Sequence, residues 1–160
     1  MKLVHLIRAS KRVTDYGDWV SGDIDRAAWP MRRKKLKLSS DWSWRVICLS
    51  STDGRQLRVL LRLNPSLEQF YAILGEIRGD GIAVLCSHEL HTSHGNWHCH
   101  ASVVSVDDVL LGVWRDKDSQ RRWPSYSGES TVVFDVDRKA ALERSAALYR
   151  FDLPAQKEMF

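Results

Sequence analysis

The chain has 160 residues, of which 44 % are hydrophobic and 28 % charged, with a formal net charge of +4 and a pI near 9.1. That balance suits one soluble domain with a real core: no apolar run is long enough to span a bilayer, and the start MKLVHLIRASKRV lacks the apolar centre of a signal peptide. Three cysteines without regular spacing argue against a disulfide framework and for a reducing, intracellular setting, while the mild positive charge is compatible with nucleic acid without demanding it.

Residues 1–43 read as an N-terminal extension with no assignable secondary structure. Trp19, Trp29 and Trp42 sit there among charged and turn-forming residues. The basic run Arg32-Arg33-Lys34-Lys35-Leu36-Lys37 has two readings. It is a solvated loop, or it is a patch that contacts phosphates and gains affinity by releasing counterions.

Residues 44–160 read as the main domain. Residues 44–50 are β-branched and apolar, and Asp53-Gly54 is a hairpin-turn signal. Leu57, Val59, Leu61 and Leu63 alternate with Arg58 and Arg62, as on a strand with one buried face. Asn64-Pro65 breaks that strand. Ser66 and Gln69 have capping-box spacing, Leu67, Phe70, Tyr71, Leu74 and Ile77 recur at helical spacing, and Gly79 is a stop, so the spacing predicts a helix over 67–78. Strands follow over 82–91 and 97–104, around a turn at Gly95-Asn96. A short helix is expected over 109–114, then a charged stretch with Arg115, Arg121, Arg122 and Trp123, then a strand over 131–136. Asp137 caps a last helix reaching Arg150, with Leu142, Ala146 and Tyr149 on one stripe and Pro154 ending it. The expected fold is α+β: an antiparallel or mixed sheet with helices packed on one face.

Five of the six histidines (His88, His91, His94, His98 and His100) crowd the hairpin between the strands at 82–91 and 97–104. Side chains alternate faces along a strand. His98, His100 and Ser102 therefore share one face, with Trp97, Cys99, Ala101 and Val103 on the other. On the preceding strand Ser87, Glu89 and His91 share a face, opposite to Ile82, Val84, Cys86 and Leu90. With a four-residue loop over 93–96, Glu89 opposes His100 and His91 opposes His98, with Cβ atoms about 5 Å apart. Two imidazoles, a carboxylate and the reserve imidazole of His91 suit a divalent cation with open positions. The bland alternative is a surface His-x-His pair without metal. His88 and His94 are expected to be structural or exposed, and Cys86 and Cys99 point to the apolar face, where free thiols behave as small hydrophobes.

The string Trp97-His98-Cys99-His100-Ala101-Ser102-Val103, with Glu89 on the strand before it, resembles the HUH motif of viral and plasmid Rep-type single-strand DNA endonucleases. The resemblance covers the last two-thirds of the chain. It implies an HUH-like nuclease domain with His98, His100 and Glu89 holding Mg²⁺ or Mn²⁺. It also implies a tyrosine that attacks the scissile phosphate of single-stranded DNA, leaving a covalent 5′-phosphotyrosine and a free 3′-hydroxyl. Tyr149 on the last helix is the tyrosine so implied, with Tyr126 behind it; a packed core tyrosine is the other reading of Tyr149. Family members carry a lysine soon after the tyrosine, where this chain has Arg150-Phe151-Asp152-Leu153. Arg32, Arg33, Lys34, Lys35, Lys37, Arg121, Arg122 and Trp123 are the expected nucleic-acid contacts, and unwinding would come from a separate helicase. Two other functions fit the same residues: a non-catalytic nucleic-acid-binding module, and a metal phosphoesterase that uses water instead of tyrosine.

Overall fold

The computed structural model describes residues 1–32, 35–91, 96–124 and 132–155. Among these residues two helices, α1 (Leu3–Arg8) and α2 (Arg138–Tyr149), accompany ten strands: β1 (Lys11–Asp15), β2 (Val20–Ser21), β3 (Ile24–Asp25), β4 (Lys35–Leu36), β5 (Ser43–Ser51), β6 (Gln56–Asn64), β7 (Gln69–Arg78), β8 (Gly81–His91), β9 (His98–Ser102) and β10 (Gln120–Trp123). Eight strands form one open antiparallel sheet in the order β1-β5-β6-β7-β8-β9-β10, with β2 beside β5, and β3–β4 is a separate hairpin. The α+β class stands, and among the described residues every strand pair of the sheet is antiparallel. From the N-terminal stretch, β1 and β2 join this sheet and Ile24, Trp29 and Met31 enter a core cluster, so these parts are built into the fold.

The helix expected over 67–78 is a strand. Asn64 Oδ1 accepts the Leu67 amide at 3.1 Å, the Glu68 amide donates to the Pro65 carbonyl at 3.1 Å, and Glu68 takes a φ of 52°. A tight turn therefore replaces the cap, because the Asn64 side chain takes the Leu67 amide and the Pro65 carbonyl takes that of Glu68. The strand that follows is buried on both faces, with Phe70, Ala72 and Leu74 in one cluster and Ile73 in the other. Two-sided burial gives a nearly unbroken apolar run, and such a run matches helical spacing as readily as strand spacing.

The two faces have separate cores. On one, α1 and α2 cover Leu61, Phe70, Leu74 and Leu85, with Leu6, Leu142 and Tyr149 filling the layer. On the other, Trp29 and Met31 from the β3–β4 region pack over Trp44, Leu60, Ile73, Ile82 and Val84. Both helices thus lie on one face; α2 is the last helix expected, whereas α1 falls in the stretch with no expected secondary structure. Asp137 caps α2 by accepting the Ala140 amide at 2.8 Å, and Arg150 ends it at a φ of 60°, ahead of Pro154.

A bulge in β8 sorts residues between the layers. Leu74 faces Cys86 but Gly75 faces Val84, so Leu85 is the extra residue. Ile82 and Val84 are thereby turned onto the face of Glu89, whereas strict alternation puts them with Cys86 and Leu90. The expected helix over 109–114 is absent. Val106–Asp108 forms one 3₁₀ turn, and the β9–β10 connection continues around the sheet end, tied by the Gly112 amide to the Ile82 carbonyl at 2.8 Å. It carries Trp114 and Arg115 onto the second face. Residues 132–137 form no strand, and Thr131 lies outside the described residues. Among the described residues no helix is long and apolar enough to cross a membrane.

Candidate metal centre

Strand pairing lines the second face with cross-strand rows. One runs Trp44, Arg62, Tyr71, Glu89, His98 over β5 to β9. The next runs Val46, Leu60, Ile73, Ser87, His100, Arg122 over β5 to β10. Glu89 therefore opposes His98, not His100, and the register is two residues from the expected one. Odd still meets even, so the face assignment of the histidines survives while their partners change.

Glu89, His91 and His98 are all buried, and their ligand atoms lie within 4.8 Å of one another: this group could bind a metal ion. Glu89 Oε1 is 3.4 Å from His91 Nε2 and 3.5 Å from His98 Nε2. Donors on a tetrahedral ion at about 2.1 Å sit about 3.4 Å apart, so these spacings fit a shared ion. His98 Nδ1 donates to the Asn96 carbonyl at 3.1 Å, which leaves its Nε2 lone pair toward Glu89. His100 stays outside the group. Its ring is 5.4 Å from that of His98, and burial, then the Arg115 charge, lowers its pKa to about 4. The expected trio of Glu89, His98 and His100 with His91 in reserve becomes Glu89, His91 and His98 with His100 beside it.

Several neighbours on this face carry no motif. Arg115 Nη2 donates to Glu89 Oε2 at 2.7 Å, so the two carboxylate oxygens face different ways, one to the imidazoles and one to a guanidinium. Tyr71 stacks on His91 with centroids 5.7 Å apart, and burial, then the Glu89 charge, raises its pKa. Arg62 lies over Tyr71 and Trp42 at 5.0 and 4.9 Å, with Trp114 at 5.9 Å. Reading residues 69–78 as a strand hinged at Gly79-Asp80 would have set Tyr71 opposite His88, and the Leu85 bulge is what brings it opposite Glu89. Arg115 had no comparable signal, because a loop delivers it.

Tyr149 is on the wrong side of the sheet for a nucleophile at this centre. It is fully buried in the helical layer, its hydroxyl donates to the Ala72 carbonyl at 2.7 Å, and burial raises its pKa well above the ordinary value. The apolar stripe of α2 must face the sheet, and it faces the side away from Glu89. Tyr126 and His94 lie outside the described residues, as do Arg33 and Lys34. His88 points to the helical face and stacks on Trp97 at 4.8 Å, under Arg144. Of the expected nucleic-acid contacts, Arg122 shares the face of the site. Arg121 and Trp123 alternate to the other face, with Trp123 57 % exposed. Lys35 lies in β4, and Arg32 and Lys37 are exposed on either side of that strand. Cys86 is buried on the helical face, and Cys48 and Cys99 are half-buried.

The chain matches no protein-family model, no curated protein and no solved structure.

Proposed function

We propose that this chain is a metal-dependent phosphodiesterase of single-stranded nucleic acid in which water attacks phosphorus. The observation that carries the reading is the convergence of His91 Nε2 and His98 Nε2 on one oxygen of Glu89 at 3.4 and 3.5 Å. Two imidazoles and one carboxylate favour Mn²⁺ or another transition ion over Mg²⁺, which prefers oxygen donors. A bound ion supplies Lewis-acid polarisation of the phosphate and a water more acidic than bulk water. The chain's own groups do the rest. Glu89 and the two histidines orient the site, Arg115 and Arg122 supply positive charge for a phosphodiester, and Arg62 with its aromatic neighbours braces Tyr71 against His91. The water adds to phosphorus, one P–O ester bond breaks, and the proton passes to the departing oxygen.

The experiment incubates the protein with Mn²⁺ and a pool of single-stranded oligonucleotides, then resolves products under denaturing conditions. Expected is cleavage without a covalent adduct, retained in Tyr149→Phe and lost in Glu89→Gln. A denaturation-resistant adduct would overturn the water mechanism. Its loss in Tyr149→Phe would return the tyrosine-dependent nicking reading. Its loss in Tyr71→Phe would favour a second reading, motivated by the position of Tyr71 directly across from Glu89.

A further inference from the structure

Beside the metal centre, one row further along the strands, Ser87, His100 and Arg122 stand side by side on β8, β9 and β10. Ser87 is only 8 % exposed, yet its Oγ has no hydrogen-bond partner among the described residues. The Nε of Arg122 is likewise buried without one. A buried hydroxyl without a partner forfeits its bonds to water, so such groups are rare where they serve only the fold. Here two lie on either side of one imidazole. All three side chains share the face of Glu89 and His98.

We infer that Ser87, His100 and Arg122 form an oxyanion subsite that seats a phosphate group next to the metal centre. The seryl O–H and guanidinium N–H groups are donors, and a guanidinium is suited to phosphate oxygens by its planar array of N–H groups. Ser87 and His100 lie two strand residues from Glu89 and His98, roughly 7 Å along the sheet. One phosphate can therefore hold oxygens on these donors and present another toward the triad. The subsite rests on the proposed function for the identity of its natural occupant, but its capacity to hold phosphate is independent of any metal.

Calorimetric titration of inorganic phosphate into the full chain, freed of metal with a chelator, tests this. Wild type should bind phosphate saturably, and Ser87→Ala and Arg122→Gln should each weaken binding about tenfold, the effect of losing one hydrogen bond to a charged group. Ser87→Ala should leave Tm unchanged or raise it, because it removes a buried group that bonds to nothing, and should leave Mn²⁺ affinity unchanged. Absence of phosphate binding by wild type, equal affinity in all three proteins, or a lowered Tm in Ser87→Ala would each overturn the subsite. A wild-type protein that takes phosphate but not Mn²⁺ would sink the metal reading and leave the subsite standing. A dephosphorylated oligonucleotide that displaces phosphate marks a phosphodiester as the occupant, and displacement by a nucleoside monophosphate alone marks a terminal monoester; both outcomes support the subsite.

Discussion

Glu89 stands directly across the β8–β9 ladder from His98, and the two carboxylate oxygens are divided between partners: Oε1 is 3.5 Å from His98 Nε2, while Oε2 accepts from Arg115 at 2.7 Å. The division makes the ligand set testable residue by residue. His91→Ala and His98→Ala should each lower Mn²⁺ affinity at least tenfold, and Glu89→Gln more, since the amide keeps the shape but loses the charge. His100→Ala should change it by less than about threefold, because losing a neighbour outside the ligand set removes no metal bond. Calorimetry or Mn²⁺ electron paramagnetic resonance reads this order. Equal losses at His91 and His100 would return the site to a His98–His100–Glu89 set.

Arg115 gives a paired prediction of opposite sign. Its guanidinium satisfies a buried carboxylate, so Arg115→Ala should lower the Tm of the metal-free protein, by about 2–4 °C for each kcal/mol lost. The same change removes a positive charge from beside the cation, so Mn²⁺ should bind more tightly and raise Tm by more than in wild type. A lower Tm without tighter metal binding would show that Arg115 only supports the fold.

Tyr149→Phe separates a core role from a catalytic one. The lost bond to the Ala72 carbonyl is buried, so the change should cost about 1–2 kcal/mol of stability. Cleavage measured well below the unfolding range should be unchanged. A drop of several orders of magnitude in a folded variant would contradict the burial of this hydroxyl away from the centre.

Lys11 supplies the pH dependence. Its Nζ donates to the Ile7 and Ala9 carbonyls at the end of α1 and to the Tyr149 carbonyl at the end of α2, at 3.1, 2.7 and 2.7 Å. Burial, and then the Arg150 charge, lowers its pKa to about 8. An unfolded lysine keeps its proton to about 10.4. Between those values the unfolded chain holds more protons than the folded one, so this group's contribution to stability rises with pH. Below the lower value both states are charged and the folded state bears the full cost of burying the charge. In chemical denaturation, wild type should gain stability relative to Lys11→Met from pH 8 to pH 10. A difference independent of pH would show that the amine titrates alike in both states.

The alternation of side chains along a strand is a covalent fact, and much of the site was legible from it, although the Leu85 bulge put Ile82 and Val84 on the face that strict alternation denies them. Glu89, His91, His98 and His100 share a face, Cys86 and Cys99 point away from it, the Asp53-Gly54 turn joins β5 to β6, and Asp137 opens the last helix. What parity cannot carry is register, because pairing shifted by two residues leaves every face unchanged. Whether Glu89 meets His98 or His100 is a matter of register, and only the assembled sheet settles that. The fate of residues 69–78 was also tertiary. A segment buried between two layers has no polar face to mark its period, and the amide-binding side chain of Asn64 turned it into β7. Layering then separated Tyr149 from the histidines, since α2 docks on the face that Glu89 does not occupy, and the β9–β10 connection brought Arg115 from the far end of the sheet. The sequence by itself determined which of the histidines, the glutamate and the cysteines around the site share a face. The tertiary structure determined which of them meet, because loop closure and two-sided burial are properties of the whole sheet.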